Sequence, residues 1–454
     1  MQLISDLRLE RYVLGLTWGE LPDAVRERAR ACALDLVGAL SLGSLGRQFS
    51  VGLTLARSIF ASGDVPILGS DERFSLVGAT VAMGHAANSF DIDDGHSLIK
   101  RHPGASFISG LMAAALERNV TYGEFLTTLV AGYDVAVRAG LAMQESYVFL
   151  HSTGCYGAVA TAACMGRLMG LDAAQLNTAL AIADFHAPLT PVMRSVEIPS
   201  MSKDGVPFGA LVGAMAVQEA VAGESGRVHT LELAEEARLL DDLEESFEIM
   251  NLYFKPYTCC RWAHQPIRAA LALMDERGLA PSDVAHVTVH TFDAAAHLSK
   301  AVPRETDEAQ YNITWPVAAA IAHEDLGYAE VRDEALSDPA TLDIMGRLDF
   351  VVDPKLEAQF PARRRAWVEV VTTSGATLRS PICEAEGEAS DDIGPAWVAK
   401  KFRRVTAPAL GSDDQERIVT TLLSGDVTTP ICEIIDTVNG ALSARRISTE
   451  KEAL

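Results

Sequence analysis

Between positions 91 and 104 the chain carries three carboxylates and two imidazoles, Asp91, Asp93, Asp94, His96 and His102, within the strings FDIDDGH and RHPG. Burying such groups without partners is costly, so a helix that ends here ends either at a solvated loop or at a site. Histidine is the usual general acid or base near neutral pH, and a neighbouring carboxylate can fix its tautomer. One reading therefore has His102 transferring a proton while Asp91 orients or neutralises a partner. A second is an acidic helix terminus with surface histidines, leaving His96 a supporting or merely exposed residue. A third is a divalent ion held by Asp91, Asp93, Asp94 and His96; the spacing allows it, but no HExxH or EF-hand pattern accompanies it.

Three further segments could supply the rest of a site. His151-Ser152-Thr153-Gly154 precedes a small-residue helix. Ser152 or Thr153 can cap that helix, and its free N–H groups favour a carboxylate beside His151; an ordinary N-cap reads the same way. Ser202-Lys203-Asp204-Gly205 opens another helix, where a lysine in a Gly-bearing turn can clamp an anion as a point charge. The run FKPYTCCRWAH, 254–264, concentrates Lys255, Arg261, His264 and three large aromatics. Cys259 or Cys260 could act as a nucleophile, but no triad order accompanies them. There is no GxGxxG or GxxxxGK[ST] in a strand–loop–helix setting, so no nucleotide cofactor is expected.

The elements that must position these residues are mostly helices. From Pro22, a helix-starting residue, apolar or small residues fall at Val25, Ala29, Cys32, Ala33, Leu36, Val37 and Leu40, which is helical spacing. Similar patterns cover 75–90, 105–117, 122–143, 157–169, 173–184, 208–222 and 265–277. Period-two alternation begins only at 284–290, and 367–373 with 376–381 reads as a hairpin about a Thr-Ser-Gly turn. Helical patterning resumes after Pro395, at 413–423 and 428–435. The expected architecture is mainly α. A large all-helical domain, 1–267 with 396–454, carries a smaller α+β lid domain, 268–395, with FKPYTCCRWAH near their junction, where ligand sites are favoured.

Composition narrows the partners. The chain of 454 residues has a formal net charge of −23, which disfavours a polyanion-binding surface; Arg363-Arg364-Arg365 reads as a solvated strand entrance. Seven scattered cysteines, odd in number and without a CxxC pair, point to reduced thiols in a cytoplasmic protein. Acids and bases near the N-terminus leave no apolar core of a signal peptide. No charge-free apolar stretch reaches membrane-spanning length without interruption by small residues, so no membrane partner is expected.

Taken in order, FDIDDGH with RHPGA, HSTG, SMSKDG, FKPYTCCRWAH and YNITWPVAAAIA resemble the MmgE/PrpD family over most of the chain. That family includes 2-methylcitrate dehydratases, cis-aconitate decarboxylases and iminodisuccinate epimerases. The resemblance implies a helical domain with an α+β lid, a homodimer, and an active site between the two domains with no cofactor and no metal. The family's acid falls on Asp91, its histidines on His102 and His151, and its lysines on Lys203 and Lys255. Arg261, Ser152, Trp315 and His96 complete the expected site around a small anionic carboxylate. Three departures stand out. Gly95 replaces a common hydroxyl residue, the family's tyrosine of the YNITWP region falls on Trp315, and Leu211-Val212-Gly213 lies where a basic residue is frequent. The expected chemistry is a cofactor-independent lyase that moves a proton next to a carboxylate, with an isomerase or epimerase as alternative. A metal-dependent hydrolase using the Asp/His cluster and a carboxylate-binding protein without chemistry are further rivals.

Overall fold

Small residues on the expected helices let their backbones approach closely, and that contact builds the larger layer of the fold. The computed structural model describes residues 6–452 apart from 101, 200–204, 234 and 392. Pro22 stands at the N-cap of helix Asp23–Gly43, as its fixed φ suits. Against this helix pack Leu76–Ala87, Pro103–Arg118 and Tyr122–Ser146, and Thr153–Met169 and Val206–Ala222 pack on these in turn. Helices Thr153–Met169 and Val206–Ala222 meet most closely, and a Cβ at Gly213 would collide with the Ala158 carbonyl oxygen and Thr161. Gly213, the last residue of the Leu211-Val212-Gly213 stretch where a family basic residue is frequent, is thus part of a helix crossing that admits only glycine.

Tyr122–Ser146 is long and apolar enough to cross a membrane, yet its apolar window is 94% buried inside the fold. Its buried acid and buried arginine have protein partners. Asp134 accepts from the Glu248 N–H at 2.7 Å, and Arg138 donates to Asp242 at 2.5 Å. The helix is the core element of this layer.

The second layer is a four-stranded sheet in the order Leu348–Val352, Val284–Thr291, Trp367–Thr372, Thr377–Arg379. The first pair is parallel and the others antiparallel. Helices Arg261–Arg277 and Thr314–His323 pack with it around a second hydrophobic core. Three of these strands coincide with the period-two segments. The fourth, Leu348–Val352, escaped sequence reasoning because its exposed positions are Asp349 and Val351, so the sequence does not alternate although the burial does. Its parallel pairing needs a long crossover, which the helices between Thr291 and Leu348 supply.

The two cores meet at the Asp91 loop. Phe90 and Ile92 belong to the second core although their helix, Leu76–Ala87, belongs to the first. Full burial of each is worth about 1.5–3 kcal/mol, which pins the residue between them at the seam. After Pro395 the chain returns to the helical layer through Pro395–Thr406, Ser412–Ser424 and Ile431–Glu452.

Candidate active site

The Asp/His segment is buried, which removes the reading of surface histidines on a solvated helix end. Asp91, Asp93, Asp94 and His96 are at most 1% exposed and His102 is 7% exposed. Two buried lysines from distant segments hold the loop by consecutive carbonyls. Lys255 Nζ donates to the Asp91 carbonyl at 3.0 Å, and Lys401 Nζ donates to the Ile92 carbonyl at 2.6 Å. Each also meets a carboxylate, Lys255 with Asp91 Oδ2 at 3.0 Å and Lys401 with Asp35 Oδ1 at 2.5 Å. Asp91 itself adopts φ +52°, a left-handed conformation that costs roughly 1–2 kcal/mol for a residue with a Cβ. The bonds to Lys255 and the burial of Phe90 and Ile92 offset that cost.

His102 is the N-cap residue of helix Pro103–Arg118. Its Nδ1 lies 2.8 Å from Asp93 Oδ2, while Asn88 Nδ2 donates to Asp93 Oδ1 at 2.6 Å. Burial alone would raise the Asp93 carboxyl, but His102, Lys255 and Asn88 bring it down to about 2. An ionised Asp93 can only accept, so Nδ1 carries the hydrogen. Nε2, 3.4 Å from Asp91 Oδ1, is therefore the atom that exchanges a proton. Burial and the Lys255 ammonium oppose a charged imidazole; Asp93 and Asp91 outweigh them and raise the proton affinity of His102 above its ordinary value. Burial likewise disfavours the Lys255 ammonium, and Asp91 and Asp93 reverse this, holding it charged.

These groups form one wall of a pocket. Lys100, Tyr253, Lys255, Arg261, Tyr311 and Arg364 supply further polar lining. Leu150, Val192, Met193, Val196 and Trp262 give it an apolar side. The space within it is about 50 Å³, where about 10–15 Å³ of such space holds one water.

Arg261 and Arg364 flank the ring of Tyr253, with guanidinium carbons 4.6 and 5.3 Å from its centroid. Glu388 ties the two together, 2.8 Å from Arg261 Nη2 and 3.7 Å from Arg364 Nη2. Arg261 also donates to the Glu386 carbonyl at 2.9 Å, so it holds this loop as well as lining the pocket. Arg364, expected on a solvated strand entrance, is only 10% exposed in its side chain; stacking on Tyr253 draws it inward. Gly95 pairs with Tyr253 across a two-stranded ladder, and a Cβ at 95 would fall inside the tyrosine ring. A hydroxyl residue is absent there because Tyr253 occupies the space.

Several expected site residues stand elsewhere. Trp315 is fully buried, packs with Ala309 and Leu336, and donates Nε1–H to the Glu330 carbonyl at 3.0 Å. It is a core residue, outside the pocket lining. The phenol at the site is Tyr311 of the same YNITWP string, whose hydroxyl lies 3.5 Å from Asp91 Oδ1. His96 sits on the ladder with Tyr253's strand, 3.3 Å from Glu248, so it does not join the aspartates. Ser152 donates its hydroxyl to the Pro188 carbonyl at 2.9 Å and does not cap the helix it precedes. His151 is buried behind Leu150, with Nε2 3.0 Å from the Gly140 carbonyl and Nδ1 2.9 Å from Cys155 Sγ; it is not among the pocket-lining residues. Lys203 lies outside the described residues. The Cys259 thiol is raised well above its ordinary value by burial, which opposes a nucleophilic thiolate.

The four-residue metal set does not assemble. Asp94 turns to the Gly104 N–H at 3.0 Å and to the Tyr133 hydroxyl, and His96 turns to Glu248. Asp91, Asp93 and His102 do bring ligand atoms within 4.8 Å of one another. The Lys255 ammonium already fills the cationic position against Asp91 and would repel a divalent ion there.

The MmgE/PrpD N-terminal domain matches residues 7–241 and the MmgE/PrpD C-terminal domain matches residues 257–424. The chain belongs to the MmgE/PrpD family. A cis-aconitate decarboxylase-like protein of Aspergillus oryzae is 21% identical over 95% of this chain and 96% of its own length. Cis-aconitate decarboxylase of Homo sapiens is 22% identical over 89% of this chain and 88% of its own. Cis-aconitate decarboxylase of Aspergillus terreus is 22% identical over 56% and 57%. Within this MmgE/PrpD chain, sequence reasoning missed Asp93 as the partner of His102, along with Tyr311, Tyr253, Lys100, Arg364 and the Asp35–Lys401 pair. Asp93 and Tyr311 lay inside strings read as part of a site, and Arg364 lay in the Arg363-Arg364-Arg365 run that was read as solvated.

Proposed function

We propose that this protein is a lyase acting without cofactor or metal, moving a proton at the carbon next to a carboxylate of a small di- or tricarboxylate. The observation that carries this reading is the His102 imidazole, held by an ionised Asp93 on one nitrogen, with Asp91 beside the other, in the wall of a cation-lined pocket. The names of the relatives in Aspergillus and Homo sapiens favour a decarboxylase or a closely related lyase.

In this reading Lys100, Arg364 and Lys203 bind the substrate carboxylates, and Lys255 with Asp91 fixes the wall beside the reacting carbon. For dehydration, His102 Nε2 takes the proton next to the carboxylate; the electron pair moves into the new carbon–carbon double bond as hydroxide leaves with a proton from an acid. For decarboxylation, the electron pair of the breaking carbon–carboxylate bond remains on carbon as CO2 departs, and protonated His102 supplies a proton to that carbon. Both pass through enolate-like charge, which preorganised cations stabilise most in an enclosed site.

The test is product analysis after incubation with a panel of di- and tricarboxylates, with chelator throughout. Release of CO2 or loss of water with chelator present supports the lyase. Inversion of configuration without either would replace it with the epimerase reading. Activity that disappears with chelator and returns with a divalent ion would contradict it in favour of the metal-dependent rival, and tight binding without turnover would favour a carboxylate-binding protein.

A further inference from the structure

A second cavity, of about 440 Å³, lies where the C-terminal helix Ile431–Glu452 crosses the end of helix Asp23–Gly43 and the short helix Tyr328–Val331. Arg332, Arg445 and Arg446 line it together with Tyr328 and Ser44, and no carboxylate is among its described lining residues. In a chain with 61 acidic and 38 basic side chains, three guanidinium groups around a cavity with no acid among its described lining residues are unexpected by composition. We propose that this cavity binds a small, multiply charged oxyanion, one bearing phosphate groups or several carboxylates.

Guanidinium groups bind such anions through paired N–H···O bonds. Neither Arg332 nor Arg446 forms an ion pair among the described residues; Arg446 donates only to the Gly69 carbonyl at 2.6 Å and to Ser443 Oγ at 3.2 Å. The acids on neighbouring segments are engaged elsewhere. Asp333 accepts from the Thr306 N–H at 2.7 Å, Glu330 from the Gly327 N–H at 2.7 Å, and Asp325 pairs with Arg404. The negative end of helix Asp23–Gly43 also points this way, but its last carbonyls are satisfied. Leu40 and Ser41 accept from the Ser44 N–H and hydroxyl, and Leu42 and Gly43 from the N–H groups of Leu45 and Gly46. This cavity is separate from the Asp91 pocket. Tyr328 packs edge-on against Phe90 at 5.1 Å between centroids, and that ring pair stands between them.

Calorimetric titration of the full chain with sodium pyrophosphate and, separately, with sodium citrate at constant ionic strength tests the proposal. The expected result is saturable binding of at least one of the two. Arg332→Glu weakens it at least tenfold, Arg332→Lys largely retains it, and His102→Gln leaves it unchanged. Among the described residues Arg332 makes no side-chain hydrogen bond or ion pair, so the variant is informative. Pyrophosphate alone would identify a phosphate-bearing ligand, and citrate alone a polycarboxylate. Absence of saturable binding, binding indifferent to Arg332→Glu, or binding lost in His102→Gln would overturn the proposal.

Discussion

His102 Nδ1 and Asp93 Oδ2 stand 2.8 Å apart, and in the proposed mechanism this contact leaves Nε2 as the proton-exchanging atom. His102 holds its proton above the ordinary imidazole range because Asp93 and Asp91 outweigh burial and Lys255. A rate step that needs His102 as acid is therefore present at low pH and lost as pH rises through that raised value; a step that needs it as base shows the reverse. Asp93→Asn removes a raising charge, so the His102 inflection in the kcat/KM profile moves to lower pH. An unchanged inflection would show that Asp93 has only a packing role.

The Lys255–Asp91 pair joins the two cores, with both side chains 1% exposed. Lys255→Met leaves the Asp91 carboxylate buried without its cation and is expected to cost about 3–5 kcal/mol in denaturant unfolding. The double variant Lys255→Met/Asp91→Asn should recover a substantial part of that stability while remaining inactive. Additive losses in the double-mutant cycle would contradict the coupling.

Tyr311 and Trp315 should separate cleanly. Tyr311→Phe is expected to lower kcat about 10- to 100-fold, the size of one hydrogen bond to a charged group, with little change in melting temperature. Trp315→Phe abandons the Glu330 carbonyl; it should cost about 1–3 kcal/mol of stability and leave kcat and KM close to wild type. The opposite pattern would restore Trp315 to the site.

Much of this was legible in the sequence, for a physical reason. Helical periodicity and small-residue faces mark the helical layer, and alternation marks the strands that are half buried. The FDIDDGH string was conspicuous because four titratable groups cannot be buried cheaply. Their division of labour was not legible. Asp93 and Asp94 are adjacent, yet one serves His102 and the other serves Tyr133 and the Gly104 N–H. Lys401 reaches the site from a distant segment with no local pattern to mark it, Arg364 sits in a basic run that reads as solvated, and Tyr311 was masked by the larger aromatic four residues on.

Asp94 also carries a pH signature. Burial and the adjacent Asp93 push its carboxyl up to about 7, and burial pushes Asp134 up to about 7 as well. Unfolded carboxyls titrate near pH ~4, so between there and about 7 these two carboxyls bind more protons in the folded chain than in the unfolded one. Their contribution to stability then falls as pH rises through that window. Asp94→Asn should flatten the fall by up to roughly 4 kcal/mol, read as a smaller drop in Tm between acid and neutral pH. An identical slope in variant and wild type would exclude Asp94 as its source.

The central claim is that His102 Nε2 exchanges a proton with the carbon next to a substrate carboxylate. Solvent-deuterium incorporation in D2O, followed by NMR on the carboxylate that the protein turns over, measures this directly. The wild-type protein should place deuterium at that carbon, and His102→Gln should reduce its rate of appearance by about 10²–10⁴ while the substrate still binds. Deuterium appearing at an undiminished rate in His102→Gln would contradict the assignment of His102.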